Sequence, residues 1–471
     1  MINKIRTNTI WLLFSQSISI IVSLGLSLIL ARHLGPRDNG IYNYANSIVG
    51  IFAIFVDFGM STVLIRDIAR NTNLVKKYLD NLISLKIIIG TVILLLIVIT
   101  SFFIKKYDNI TYIMIFLGLY NIMSGFYLLF TGVFRSHNKM VYESFDTVII
   151  KVLLLIFGVI ALYYYKSLLI YSMVLFSTML IGILISVLII RKYFSKFSFS
   201  INKEFWIYML KEIWPYGLSS IIVTVYFTID QIILGSLKPI TQVGYYALAR
   251  SATGVVLSLI GILIGVVFPS LSMLYKKDIS AFTELLNNAI KLMSILLIIF
   301  IVEMLINSKG YVLSIFGNKY YNSILPLQIL SVTTGIIFIN ALIGNAFGAI
   351  DRQKDLLLGL FLSMVINVGL NFLFIPYYGA VGAASASIFT ELFIGIYSYT
   401  ILKKDFKINL IKYLKIPVLA GIVSMVVMLL LSQYNVYLIS IIGLMIYFLI
   451  LVLSKEISIE FIKENLKFRN I

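Results

Sequence analysis

Fourteen stretches of this 471-residue chain stay apolar for about 20 residues each, the length of helix that crosses the hydrocarbon core of a bilayer. They lie near 10–31, 41–62, 82–104, 110–134, 146–165, 168–190, 213–235, 243–267, 286–307, 324–350, 356–375, 380–402, 414–432 and 435–453. Few architectures remain open to such a chain. In lipid, every backbone polar group must be satisfied within its own segment or within a closed barrel. These runs are too long and too continuously apolar for barrel strands, so they read as helices. The composition agrees, because 60% hydrophobic residues, 12% charged residues and a mean hydropathy of +1.01 amount to more apolar surface than a soluble core hides. The first run, behind Met1-Ile-Asn-Lys-Ile-Arg6, is too long for a signal-peptide core and reads as a retained span.

Basic residues orient the spans. Of 38 Lys and Arg residues, 26 fall on the side of the N-terminus, counting Lys415 at the edge of its run with the loop before it, 8 on the other side and 4 within the runs. Positive residues accumulate in cytoplasmic loops, so the sequence predicts a plasma-membrane protein with both termini in the cytoplasm. The net charge of +18 then reflects topology and attraction to anionic lipid headgroups, and no nucleic-acid partner is expected.

The chain repeats itself. Pro239, Gly244, Tyr246, Ala249 and Ser251 overlay Pro36, Gly40, Tyr42, Ala45 and Ser47 once one residue is inserted in the turn, at an offset of about 204 residues. Trp11 and Trp214 extend the match into the preceding run. Six spans per copy is an even number, so the copies share one orientation and are related by a pseudo-twofold axis along the membrane normal. The expected fold is all-α: six-helix bundles over 1–200 and 201–405 with a cleft between them, then two accessory helices and a cytoplasmic tail over 406–471.

Small and polar residues at steps of three and four mark one face of several spans. Gln16, Ser19, Ser23 and Ser27 do so in the first, and Asn43, Asn46, Gly50, Ala53 and Asp57 in the second. Gly217, Ser220, Thr224, Thr228 and Gln231 follow in the seventh, and Arg250, Gly254, Ser258, Gly261 and Gly265 in the eighth. Close helix packing would produce such a stripe. Stripes that correspond under the duplication favour a shared polar cavity, with Gln16, Asn46, Thr224, Gln231 and Arg250 as candidate substrate contacts. Asn46 is the duplicate of Arg250, which leaves the cavity's charge asymmetric.

Charges inside spans cost at least about 2.5–3.5 kcal/mol each at mid-bilayer and are candidates by default. Asp230 is placed to act as a counter-ion to Arg250. Asp57 has Lys86 at similar depth, which suits an ion pair as well as a coupling role. Glu391, deep in the twelfth run with no evident basic partner, is a candidate for proton or cation coupling. Glu303 reads as wetted near the outer surface, and Lys151 and Lys291 as snorkelling. His33 and His137 read as surface residues. The sequence contains no cysteine, no phosphate loop, no zinc-ligand spacing and no nucleophile elbow, so no cofactor and no enzymatic activity is expected.

Taken together, these features resemble a known family. The turn Ala31-Arg-His-Leu-Gly-Pro-Arg-Asp-Asn-Gly-Ile-Tyr42 is similar to the first-loop signature of polysaccharide repeat-unit flippases of the multidrug/oligosaccharidyl-lipid/polysaccharide exporter (MOP) superfamily. Asp57-Phe-Gly-Met60, Arg66-Asp-Ile-Ala-Arg70, Asp230-Gln-Ile-Ile-Leu-Gly235 with Val243-Gly-Tyr-Tyr-Ala247, Phe316-Gly-Asn-Lys-Tyr-Tyr321 and Ile375-Pro-Tyr-Tyr-Gly-Ala-Val-Gly-Ala-Ala384 follow in the family's order. The resemblance implies translocation of undecaprenyl-diphosphate-linked oligosaccharides to the outer leaflet by alternating access. Its partners would be that substrate, membrane lipid and other polysaccharide-assembly membrane proteins. The lipid II flippase, a relative, carries arginines in its first span where this chain has Gln16 and serines, which argues against lipid II as substrate. A cation-coupled multidrug exporter and a membrane-embedded polysaccharide polymerase are the alternatives; the short outer loops speak against the polymerase.

Overall fold

The computed structural model describes residues 2–104, 107 and 109–457. Its elements are helices α1 (Ile2–Asp57), α2 (Met60–Arg70), α3 (Val75–Phe103), α4 (Ile110–Ser136), α5 (Met140–Val159), α6 (Leu168–Tyr193), α7 (Lys203–Leu237), α8 (Ile240–Lys277), α9 (Ile279–Phe316), α10 (Ile324–Ala349), α11 (Gln353–Leu402), α12 (Leu410–Leu430) and α13 (Val436–Leu453). Among the described residues, twelve helical stretches are long and apolar enough to cross a membrane. That is two fewer than the apolar runs, because the first two runs join in α1 and the eleventh and twelfth in α11.

The joins are not regular helix. Gly35 in α1 has φ 84° and ψ −177°, and Gly379 in α11 has φ 55° and ψ −128°, both in the region that favours a residue without a Cβ. Pro36 directly follows the first break, where a missing N–H is harmless and a fixed φ starts the next helix. The arms 2–34, 36–57, 353–378 and 380–402 each exceed the length a bilayer requires.

Two compact units divide the chain at Gly244. In the first, α1 packs on α4, α5 and α7, and α4 packs on α6. Because α7 packs on α1, the boundary falls at the repeated turn instead of in the linker near residue 201. The linker itself is fastened to α3: the Ser198 and Asn202 backbone N–H groups donate to the side chains of Asp80 (2.6 Å) and Asn81 (3.1 Å), and the Trp206 indole N–H donates to the Asn81 carbonyl (3.2 Å). Helix α2, which has no counterpart among the apolar runs, buries Met60, Val63, Leu64, Asp67 and Ile68 on one face.

In the second unit, α9 is the central helix and packs on α10 and α12. Phe282, Leu286, Ile290 and Met293 of α9 meet Phe338, Leu342 and Phe347 of α10 in its core. The last two helices dock on α9 through Ile295, Ile299, Ala420, Tyr447 and Leu451, and the Tyr447 hydroxyl donates to the Ile295 carbonyl at 2.8 Å.

Candidate functional site

The duplicated turn closes on itself. A Cβ added at Gly40 would lie 2.1 Å from the Ile240 carbonyl oxygen, and one added at Gly244 would lie 1.9 Å from that of Pro36. Each copy's glycine therefore sits against the backbone at the start of the other copy's turn. Asn39 donates to the Gly244 carbonyl at 3.2 Å, and the Tyr44 hydroxyl pairs with Ser236 at 3.1 Å. One turn further, Ser47 donates to the Gln231 side-chain oxygen at 3.0 Å, and the buried Asp230 accepts from the Gln231 backbone N–H at 2.8 Å. Gln231 therefore helps tie α1 to α7. Asn46 and Thr224 are half-buried, and Gln16 is exposed.

Asp57 and Lys86 meet. The ammonium, wholly buried, lies 2.6 Å from the Asp57 carboxylate and also donates to the Gly125 carbonyl at 2.8 Å. Ser61 donates to the same carboxylate oxygen at 2.5 Å. The Phe58 ring beside this pair rests on Gly217 of α7. Arg66 then bridges Asp67 at 2.7 Å and Glu212 at 2.8 Å, while Tyr78 and Tyr208 donate to the other Asp67 oxygen. The motifs Asp57-Phe-Gly-Met and Arg66-Asp thus join α1, α2, α3 and α7 within the first unit.

Two residues bear roles the sequence did not suggest. Asp146 of α5 is wholly buried, with Ser186 of α6 donating to one carboxyl oxygen and no hydrogen-bond partner for the other among the described residues. Glu303 is not wetted: it is buried on α9, where Asn307 donates at 2.9 Å and Tyr311 also donates to its Oε1. Asn307 and Tyr311 in turn reach Ser440 of α13, so a polar knot fixes this accessory helix. The sequence signal, polar residues at 303, 307 and 311 on one helical face, points to it in retrospect.

In the second unit, Arg250 is half-buried on α8. Below it, Cβ atoms added at Gly254, Gly261 and Gly265 would meet nothing within 4 Å, so these glycines do not serve close packing. Glu391 is buried and does have a partner: Asn340 of α10 donates to its carboxylate at 2.8 Å and to its carbonyl at 2.9 Å. The neighbouring face of α11 carries Asn367, Asn371 and Thr390, joined by hydrogen bonds. Lys291, expected to snorkel, is paired with Glu456 at 2.6 Å. No group of three or more His, Cys, Asp or Glu side chains that would hold a metal ion occurs among the described residues.

The profile of the polysaccharide biosynthesis protein family matches residues 5–275, more than half of the chain. The chain belongs to this family. It is a multi-pass membrane protein of polysaccharide biosynthesis. Among solved structures, the lipid II flippase MurJ in an inward closed conformation is similar over 96% of this chain and 99% of its own, with a TM-score of 0.75 at 16% identity. An inward-facing multidrug resistance MATE transporter of the MOP superfamily matches at a TM-score of 0.65 and 16% identity, over 82% of this chain and 95% of its own. A MOP superfamily transporter from Pyrococcus furiosus matches at 0.56 and 15%, over 90% and 95%. At these identities the likeness is one of fold. No curated protein sequence matches the chain.

Proposed function

We propose that this family member is a flippase, carrying a polyprenyl-diphosphate-linked oligosaccharide from the cytoplasmic to the outer leaflet of the plasma membrane by alternating access. The observation that carries this reading is the family match together with a fold likeness to a lipid-carrier flippase over nearly the whole chain. In this reading the arms of α1 and α11 each cross the bilayer, making fourteen crossings with both termini cytoplasmic, as the 26 to 8 partition of basic residues favours. The residues of 1–200 and 201–405 form the two repeats and 406–471 the accessory part.

Arg250 is assigned to the diphosphate. Its guanidinium stays charged when partly desolvated and engages phosphate oxygens through a two-pronged fork, which an ammonium does not. Beneath it, the open glycine face of α8 leaves room for a headgroup to pass. The interior-negative potential adds about 2.3 kcal/mol per 100 mV for each negative charge moved outwards, so a diphosphate gains drive without an ion gradient. Asn46, Gln16, Gln231 and Thr224 supply polar contacts, and Asp230 and Glu391 are the counter-ion and coupling candidates. The multidrug-exporter alternative would draw on Asp57 for coupling, but that carboxylate is already taken up by Lys86 and Ser61.

The test is complementation of a flippase-null strain by wild type, Arg250→Lys and Arg250→Ala at matched protein levels. Export is expected to fall in that order, with lipid-linked precursor accumulating on the cytoplasmic side. Normal export by Arg250→Ala would remove the diphosphate contact, and failure of the wild type with every repeat-unit pathway tried would remove the flippase reading.

A further inference from the structure

Where α2 ends and α3 and α7 begin, the first unit holds an open cavity of about 470 Å³. That size lies within the range of small-molecule sites, roughly 300–1,000 Å³. Its wall combines three chemistries. Arg70 and Lys77 supply positive charge, and neither takes part in an ion pair among the described residues; Lys77 lies over the Phe205 ring at 5.5 Å. Asn71 and Asn202 have their side-chain carbonyls occupied by the backbone N–H groups of Asn73 (3.1 Å) and Phe205 (3.0 Å), so each amide has its NH2 donors to offer. Tyr208, half-exposed, contributes an aromatic face, and Glu204 a carboxylate acceptor.

The wall is also rigid. Asp67 contributes little repulsion, because Arg66 neutralises it and Tyr78 and Tyr208 donate to it. Asn202 is held by its backbone on the Asn81 side chain. Cations suit phosphate oxygens, an aromatic face suits the C–H side of a pyranose, and amides with a carboxylate suit its hydroxyls.

We propose that this cavity is a capture site for the glycosyl diphosphate headgroup of the lipid-linked substrate before it enters the transport path. The inference rests on the flippase reading and on its cytoplasmic orientation. It places a second substrate contact well away in sequence from Arg250, on residues that no span contributes from its apolar face. A headgroup on a lipid in the adjoining leaflet is favoured over a soluble sugar nucleotide, because the walls are the ends of membrane-spanning helices.

The experiment measures binding to the purified full chain in phosphatidylcholine nanodiscs, using citronellyl diphosphate bearing glucose, galactose or N-acetylglucosamine as probes. Citronellyl diphosphate without sugar, inorganic pyrophosphate and phosphatidylglycerol serve as competitors. At least one glycosylated probe is expected to bind five-fold or more tightly than the sugarless one. Arg70→Ala with Lys77→Ala should weaken it ten-fold or more, and Tyr208→Ala should weaken the glycosylated probe alone. Both basic residues are exposed, so the double variant should fold, which size-exclusion chromatography checks. Unchanged binding in the double variant overturns the site, and equal competition by phosphatidylglycerol shows an ordinary lipid-headgroup site and overturns the sugar assignment. If the pocket variants bind and export normally while Arg250→Ala does not export, this inference fails and the flippase reading stands.

Discussion

Lys86 shows how a single side chain in this protein can be costly and still be retained. A wholly buried ammonium is tolerable only because Asp57 and the Gly125 carbonyl meet it, and removing one partner of such a pair costs about 3–5 kcal/mol. Lys86→Met should therefore lower the thermal midpoint in detergent by many degrees, and Asp57→Asn combined with Lys86→Met should recover a large part of the loss. A double variant as unstable as the sum of the singles would mean that the two residues act independently. Glu391 and Glu303 divide differently. Glu303→Gln should keep α13 anchored and export near normal, because its amide oxygen still accepts from Tyr311 and Asn307. Glu391→Gln should reduce export more than it reduces stability, since Asn340 can donate equally well to an amide oxygen. Export and melting assays on both variants decide the matter; equal export by the two would remove the coupling role from Glu391.

Helix by helix, glycines with the same name do opposite things. Gly244 lets α8 begin against the backbone of Pro36, and a methyl group there has nowhere to go, so Gly244→Ala should destabilise by about 1–3 kcal/mol. Gly254, on the same helix, faces open space, and alanine there should be neutral or gain up to about 1 kcal/mol of helix propensity. Gly254→Leu is the functional counterpart: the protein should remain stable while export falls, if the open face lies on the transport path. Thermal melts and complementation of the three variants test both statements together, and a Gly244→Ala protein as stable as wild type would show that the turn contact yields easily. α2 belongs to the same scale, since its spacing at 60, 63, 64, 67 and 68 is legible as an amphipathic helix once the helix is known to sit between two spans.

For the whole molecule, the topology prediction is that a reporter fused after Ile471 reads as cytoplasmic; a periplasmic signal would invert every statement about sides, including the capture pocket. Deleting 406–471 should uncover Ile295, Ile299 and Val302 of α9 and strand the Glu303 knot without Ser440, so the truncated chain is expected to melt lower than the full chain in detergent. Hydropathy and helical period belong to local sequence, and lipid leaves the backbone few options, so the all-α membrane class, the position of nearly every helix, the duplication and the family resemblance were all legible from the residues alone. The Asp57–Lys86 pair was legible too, as two opposite charges at one depth. The burial of Glu303, the partner of Glu391, the hydrogen bond of Asp146 to Ser186 and the mutual approach of Gly40 and Gly244 depended on which faces of distant helices meet. An apolar run is equally compatible with many neighbours, so only the tertiary packing decided whether a buried charge had a partner and whether a glycine met backbone or open space.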